Sequence, residues 1–131
     1  MNSYKESHDL LDICKLVPVI PVLVVDETAS AVPLAKALIG GGLRVLEITL
    51  RTKNALDVIK EMVANTTEGI IGAGTLLSEE DVYAAKNAGA SFGVSPGITD
   101  QILRACAEVK LPLLPGAATP VSYTHLRAHE T

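Results

Sequence analysis

Apolar residues along the chain follow two alternating periodicities. Short runs of Val, Ile and Leu are each followed by a longer stretch in which apolar positions recur three and four residues apart. Residues 7–16 open with the stripe Leu10, Ile13 and Cys14 of a short amphipathic helix. Residues 17–25 predict a first strand. The stripe Ala31, Leu34, Ala35, Leu38 and Ile39 predicts a helix that Asp26 or Thr28 can cap and Gly40–Gly42 stops. A second strand over residues 45–52 is followed by a helix with Ala55, Leu56, Ile59 and Val63 on its apolar side and Thr52 as its cap. Residues 70–75 predict a third strand. Ser78, with Asp81 three residues on, opens a helix through Val82, Ala85 and Ala88 to Gly89. Strands four and five fall at residues 91–97 and 111–119, separated by a helix over Ile102, Leu103 and Ala105 that Thr99 can cap.

The resulting order, βαβαβαβαβ without a hairpin signal, makes a parallel sheet with helical crossovers, either a closed barrel or an open doubly wound sheet. The glycines favour the barrel. Gly72, Gly74, Gly93, Gly97 and Gly116 fall in or just after strands, where a small barrel needs room for a ligand and close backbone approach. Gly72-Ala-Gly74 is no dinucleotide fingerprint, because position 77 is Leu where a third glycine is required.

Composition adds exclusions. Apolar residues make up 48% of the 131 residues, with one Phe, three Tyr and no Trp, so the core is built from Val, Leu, Ile and Ala as in parallel α/β proteins. This length suits one domain or part of a larger one. A net charge of −4 without a basic cluster argues against nucleic acid or an acidic membrane surface as partner. Every apolar run is too short to span a bilayer. The first residues, with Lys5, Glu6, His8, Asp9 and Asp12, do not resemble a signal peptide, so a cytoplasmic protein is expected. Cys14 and Cys106 are too few and too distant for a zinc pattern and are expected to be small core residues; no metal site is predicted.

The second strand carries the candidate chemistry. Leu46, Ile48 and Leu50 share one side, while Val45, Glu47, Thr49 and Arg51 share the other. A carboxylate within a covered strand must be paired, hydrogen-bonded or held protonated. Two readings of Glu47 follow: an edge or half-exposed strand with Glu47 and Arg51 in water, or an acid/base group inside a site with a nearby cation.

Six stretches then resemble the 2-keto-3-deoxy-6-phosphogluconate / 4-hydroxy-2-oxoglutarate aldolase family. They are Val17-Pro-Val-Ile-Pro-Val, Ala31-Val-Pro-Leu-Ala-Lys-Ala-Leu, Gly41-Gly-Leu-Arg-Val-Leu-Glu-Ile-Thr-Leu-Arg-Thr, Ile71-Gly-Ala-Gly-Thr-Leu-Leu, Val94-Ser-Pro-Gly and Leu113-Leu-Pro-Gly. They stand in family order and spacing between about residues 10 and 120. The resemblance implies a (β/α)8 TIM barrel, here a partial barrel of about five parallel strands with helices outside. It also implies a homotrimer for the complete protein, and class I cleavage of 2-keto-3-deoxy-6-phosphogluconate or 4-hydroxy-2-oxoglutarate to pyruvate and an aldehyde without a cofactor. A lysine forms the Schiff base in that family. The position matching Glu47 shuttles protons, that matching Arg51 binds the keto acid's carboxylate, and Thr75 and Pro96 line the same pocket. Strand alternation independently puts Glu47 and Arg51 on one side, with Arg51 at the C-terminal mouth where barrels build their sites.

The sequence departs from the family after residue 120. The Schiff-base lysine belongs on strand six, and none of the seven lysines here (Lys5, Lys15, Lys36, Lys53, Lys60, Lys86, Lys110) fits that place. The phosphate site after strands seven and eight is also missing. Residues 121–131 lose the family pattern, and His125 and His129, spaced i, i+4, lack a third ligand. The expectation is a partial aldolase barrel over 1–120 with an atypical tail over 121–131, truncated before its nucleophile and inactive alone. Two alternatives are another TIM-barrel phosphosugar isomerase or epimerase, in which Glu47 abstracts a proton with no Schiff base, and a non-catalytic half-barrel that self-associates through its open edges.

Overall fold

The structure, a computed structural model, describes residues 20–115. Five strands, β1 (Val22–Leu23), β2 (Val45–Thr49), β3 (Ile70–Gly74), β4 (Phe92–Ser95) and β5 (Leu113–Pro115), alternate with four helices, α1 (Ala31–Gly40), α2 (Ala55–Asn65), α3 (Glu79–Ala88) and α4 (Asp100–Val109). A 3-10 turn over Thr28–Ser30 leads into α1. All neighbouring strands are parallel, and their order in space is their order in sequence.

That order, with the placement of the helices, separates the two architectures left open by the pattern. A doubly wound sheet reverses its direction of growth and carries helices on both faces. Here the order does not reverse. The buried residues of all four helices join a single cluster with Leu46, Ile48, Ile71 and Ala73 of the sheet. The opposite face has its own cluster: Ile20, Val45, Ile70, Phe92, Val94 and Leu114. A sheet with helices on one side and a separate apolar lining on the other is the wall of a barrel.

Register places the lining in layers. Val22 pairs with Glu47, Glu47 with Gly72, and Gly72 with Phe92, so these four positions lie side by side on the inner face. One level nearer the C-terminal ends of the strands, Thr49 pairs with Gly74.

Local signals that act within one turn work as the sequence predicts. Ser78 Oγ accepts the Asp81 N–H at 3.3 Å and Asp81 Oδ2 accepts the Leu77 N–H at 2.8 Å, which together open α3. Thr99 Oγ1 accepts the Ile102 N–H at 3.2 Å and opens α4. Gly89 closes α3 with φ of +98°, a left-handed conformation that a residue without Cβ adopts freely.

Signals that compete with distant partners differ. Neither Asp26 nor Thr28 caps α1, whose N-cap Ser30 makes no side-chain bond. Thr52 does not cap α2 either: its hydroxyl donates to the Val25 carbonyl at 3.1 Å, and the helix starts from Asn54. The buried face of α2 is Ala55, Val58, Ile59 and Met62, a rotation away from the predicted Leu56 and Val63. Leu103 is exposed, whereas Cys106 is a core residue of α4 as expected.

The glycines within the strands, Gly72, Gly74 and Gly93, hold no vacant space for a ligand, whereas nothing stands within 4 Å of a Cβ at Gly97, just after β4. Gly93 faces the helix layer, where a Cβ would run into Leu76 and come within 3.2 Å of Leu111. At Gly72 a Cβ would overlap the Phe92 ring, and at Gly74 the Glu47 side chain. The predicted helix at 7–16, residues 17–19 and 116–119 of the terminal strands, Cys14, Gly116 and the 121–131 tail with His125 and His129 lie outside the described residues.

Candidate functional site

Three polar residues, Glu47, Thr49 and Ser95, are buried among the described residues, all on β2 and β4. Glu47 lies in the middle of an interior strand whose five residues are all buried. The reading with Glu47 in water on an edge or half-exposed strand therefore fails. Sequence alternation turns its side chain inward, away from Leu46 and Ile48 in the helix-side core.

The arm then leans. Although Glu47 pairs with Gly72, a Cβ on Gly74 would stand 2.8 and 2.9 Å from Glu47 Cδ and Cγ and overlap Oε2. The carboxyl thus lies over Gly74, one inward position closer to the C-terminal ends of the strands. Only 4% of Glu47 is exposed, and its Oε1 is buried with no hydrogen-bond partner among the described residues. Burial pushes the carboxyl from its usual 4.5 to about 7, against a lowering pull from the Arg51 guanidinium. A carboxyl in that range can both accept and return a proton at neutral pH.

Arg51 reaches this neighbourhood by a different route from the one its parity suggested. β2 ends at Thr49, and Arg51 is exposed in the turn that follows. The turn is tied from three sides. The Leu50 N–H donates to Gly74 O at 2.9 Å, Thr52 Oγ1 to Val25 O at 3.1 Å and Asn54 Nδ2 to Asp26 O at 2.8 Å. The loop after β1 and the last residue of β3 therefore set where the backbone of the turn that carries Arg51 stands. Its planar fork of donors suits a carboxylate.

Thr75 and Pro96 follow β3 and β4 directly, so both stand at the same end of the sheet as Arg51. Pro96 is exposed and Thr75 half-buried. Thr75 has φ of +62°, which a β-branched residue enters only under constraint. The constraint is visible on both sides. Gly74 O is held by the Leu50 N–H, and the Leu76 N–H donates to Val94 O at 3.0 Å. Ser95 Oγ lies 2.8 Å from the carbonyl oxygens of both Leu76 and Gly97, bridging the loops after β3 and β4. Thr75→Gly should relieve the conformation and raise stability by about 1 kcal/mol, read as a higher urea midpoint. An unchanged or lower midpoint would mean that Thr75 makes compensating contacts there.

Sequence reading did not anticipate Phe92, Ser95 or Asn54 as parts of this end of the molecule, and it read Gly74 as room for a ligand, not as the place of the Glu47 arm. The five lysines among the described residues, Lys36, Lys53, Lys60, Lys86 and Lys110, are all exposed. Lys53 sits in the turn before α2, not in its first helical turn. Among the described residues no group of three or more His, Cys, Asp and Glu could hold a metal, and no helix is long and apolar enough to cross a membrane.

The geometry can be set against known proteins. The family model described as KDPG and KHG aldolase matches residues 10–125. The KHG/KDPG aldolase of Escherichia coli K12 is 44% identical over 119 residues, which cover 91% of this chain and 55% of that protein. The 2-dehydro-3-deoxy-phosphogluconate aldolase of Dickeya dadantii is 41% identical over the same shares. Among solved structures, the 2-keto-3-deoxy-6-phospho-gluconate aldolase of Zymomonas mobilis superposes with a TM-score of 0.78 at 43% identity, covering 83% of this chain and 52% of that one. The KDPG aldolase of Legionella pneumophila, with pyruvate captured at low pH as a covalent carbinolamine, superposes with a TM-score of 0.73 at 39% identity, covering 84% and 53%. The chain spans about half the length of the curated relatives it matches. Sequential parallel strands with helices on one face and a separate apolar lining on the other are thus the architecture of part of a (β/α)8 barrel, and the chain belongs to the KDPG/KHG aldolase family.

Proposed function

We propose that residues 20–115 carry the acid/base group and the carboxylate clamp of a class I aldolase that cleaves 2-keto-3-deoxy-6-phosphogluconate or 4-hydroxy-2-oxoglutarate to pyruvate and an aldehyde. The observation that supports this best is Glu47: buried, with no partner for Oε1 among the described residues and its carboxyl pushed up to about 7 by burial. Once an amine has condensed with the substrate's keto group, Glu47 as carboxylate takes the proton of the C4 hydroxyl. The C3–C4 bond breaks, C4 becomes the aldehyde carbonyl, and the electron pair runs through C3 and C2 to the iminium nitrogen, leaving an enamine. Glu47, now protonated, returns its proton to C3, and hydrolysis of the imine frees pyruvate. Arg51 holds the substrate carboxylate throughout, with Thr75 and Pro96 lining the pocket beside it.

The amine comes from outside the described residues, since their five lysines point to solvent from helices and turns. The covalent carbinolamine of the Legionella relative is the kind of adduct that such an amine forms. The complete protein is a cytoplasmic homotrimer in this reading. A designed cage built by fusing symmetric oligomeric domains matches the chain with a TM-score of 0.68 at 29% identity, in keeping with an oligomeric scaffold.

Borohydride trapping with pyruvate tests the proposal, on this chain alone and on a chimera completed with the remaining strands of the E. coli relative. The chimera should yield a pyruvate–lysine adduct mapped beyond residue 115, and the chain alone none. In the chimera Arg51→Leu should raise the KM for the keto acid about 10- to 100-fold, the cost of losing a charged hydrogen bond. A folded chimera that traps no pyruvate would sink the reading, and an adduct on Lys53 would relocate the nucleophile.

A further inference from the structure

Two inward-facing glycines on β3, Gly72 and Gly74, are covered from opposite sides. The Phe92 ring comes from β4 and occupies the space of a Cβ at Gly72. The Glu47 arm comes from β2 and occupies the space of a Cβ at Gly74. Two residues of a strand rise by about 6.6 Å, so ring and carboxyl lie one above the other along the same strand. Glu47 cannot settle back over its own register partner, because the ring already fills that place.

We infer that Gly74 is a positioning residue for Glu47, and that its missing side chain is the cradle that sets the carboxyl above the Phe92 ring at the C-terminal mouth. The feature differs from a turn glycine. Gly74 needs no left-handed backbone, since the positive-φ glycines among the described residues are Gly42 and Gly89. Steric room over its Cα is what the position demands, and Oε1 at the end of the arm has no hydrogen-bond partner among the described residues. The side chains on the inner face around the arm, Val22, Phe92 and Val94, carry no charge, and the charge that acts on the carboxyl is that of Arg51. A methyl at Gly74 leaves the carboxyl one way out. The ring blocks retreat toward the N-terminal ends, so the carboxyl moves toward the open mouth and into water.

The catalytic meaning of the cradle rests on the aldolase reading, but its test reads the carboxyl itself and needs no turnover. Carbon-13 NMR of glutamate side-chain carboxyls in the 131-residue chain gives the titration of Glu47, assigned by the signal lost in Glu47→Gln. The parent should titrate near 7 and Gly74→Ala more than about one pH unit lower, toward the ordinary carboxylate range. The double variant Gly74→Ala/Glu47→Ala, which removes the Cγ and Cδ that the new methyl would meet, should fold at least as well as Gly74→Ala. An unshifted midpoint in Gly74→Ala overturns the inference, as does a parent carboxyl titrating near 4.5. Should Gly74→Ala fail to fold, recovery of folding in the double variant supports the cradle, and no recovery overturns it. A chimera that traps no pyruvate while these shifts appear would remove the aldolase reading and leave the cradle standing.

Discussion

Phe92→Ala should cost about 3–5 kcal/mol of stability, the largest effect expected of any single substitution among the described residues. Phe92 is the only phenylalanine in the chain and is fully buried. The lining it belongs to is small, with Ile20, Val45, Ile70, Val94 and Leu114 as its other members. The ring lies over a strand position that has no side chain of its own. Removing it therefore leaves a cavity with nothing from Gly72 to relax into it, which places the cost in the upper part of that range. The reciprocal change crowds the same space. Gly72→Val puts a branched side chain into the ring and should cost about 1–3 kcal/mol. Together the two changes should cost less than their sum, because each relieves the defect of the other. Urea denaturation of the parent, both single variants and the double variant measures that coupling. Strictly additive costs would show that the ring and the Gly72 position do not share one space.

The second large effect is a pH dependence carried by Glu47. An unfolded glutamate titrates near 4.5, whereas burial holds the folded one at about 7. The folded state thus binds the proton more tightly, and ionising the group works against the fold. The protonated group is fully tolerated below pH 4.5. Stability is lost as the pH rises through about 7, and the loss levels off above that. Its full size is about 3 kcal/mol. Glu47→Gln keeps the shape and removes the ionisation. The variant should match the parent at low pH and exceed it by about that amount at pH 8 and above. The difference between the two stability curves isolates this group from the other carboxylates, and a flat difference would refute the burial argument. In the completed chimera the same substitution removes the proton carrier and should lower kcat by about 100- to 10,000-fold at unchanged fold. A variant more stable than its parent yet far less active is the signature of a charge kept for chemistry.

How much of this was legible beforehand depended on how far apart the interacting residues stand. Alternation along Val45–Thr49 was enough to put Glu47 opposite Leu46 and Ile48 but left open whether that face was buried, and the matched stretches suggested its chemistry before any geometry was available. Ser78 and Thr99 could be read as caps because each bonds a backbone N–H three residues away. Thr52 and Asn54 could not, because their partners, Val25 and Asp26, stand 27 and 28 residues back. For the same reason the strand was read through to Thr52, although it stops at Thr49 and a turn, not the pleat, delivers Arg51. The glycines were conspicuous, but their faces were not. Gly93 packs against helix-side leucines while Gly72 and Gly74 lie inside, a distinction that only register reveals. Thr75 was named as a pocket residue, but its left-handed backbone was hidden for another reason. Local preference disfavours a β-branched residue at positive φ, and the clamp that holds it there comes from the strands on either side.

Strand order carries a consequence for how such a chain is made. Among the described residues each strand after β1 pairs with the strand synthesised just before it, so each new strand finds a partner already made. A ribosome adding about 5–20 residues each second delivers a new strand–helix unit every few seconds, while a helix forms in microseconds or less. Translation sets the pace. Each unit can dock on the previous one as it leaves the exit tunnel, and the growing edge of the nascent sheet is renewed and covered by the next arrival while the edge at β1 stays open.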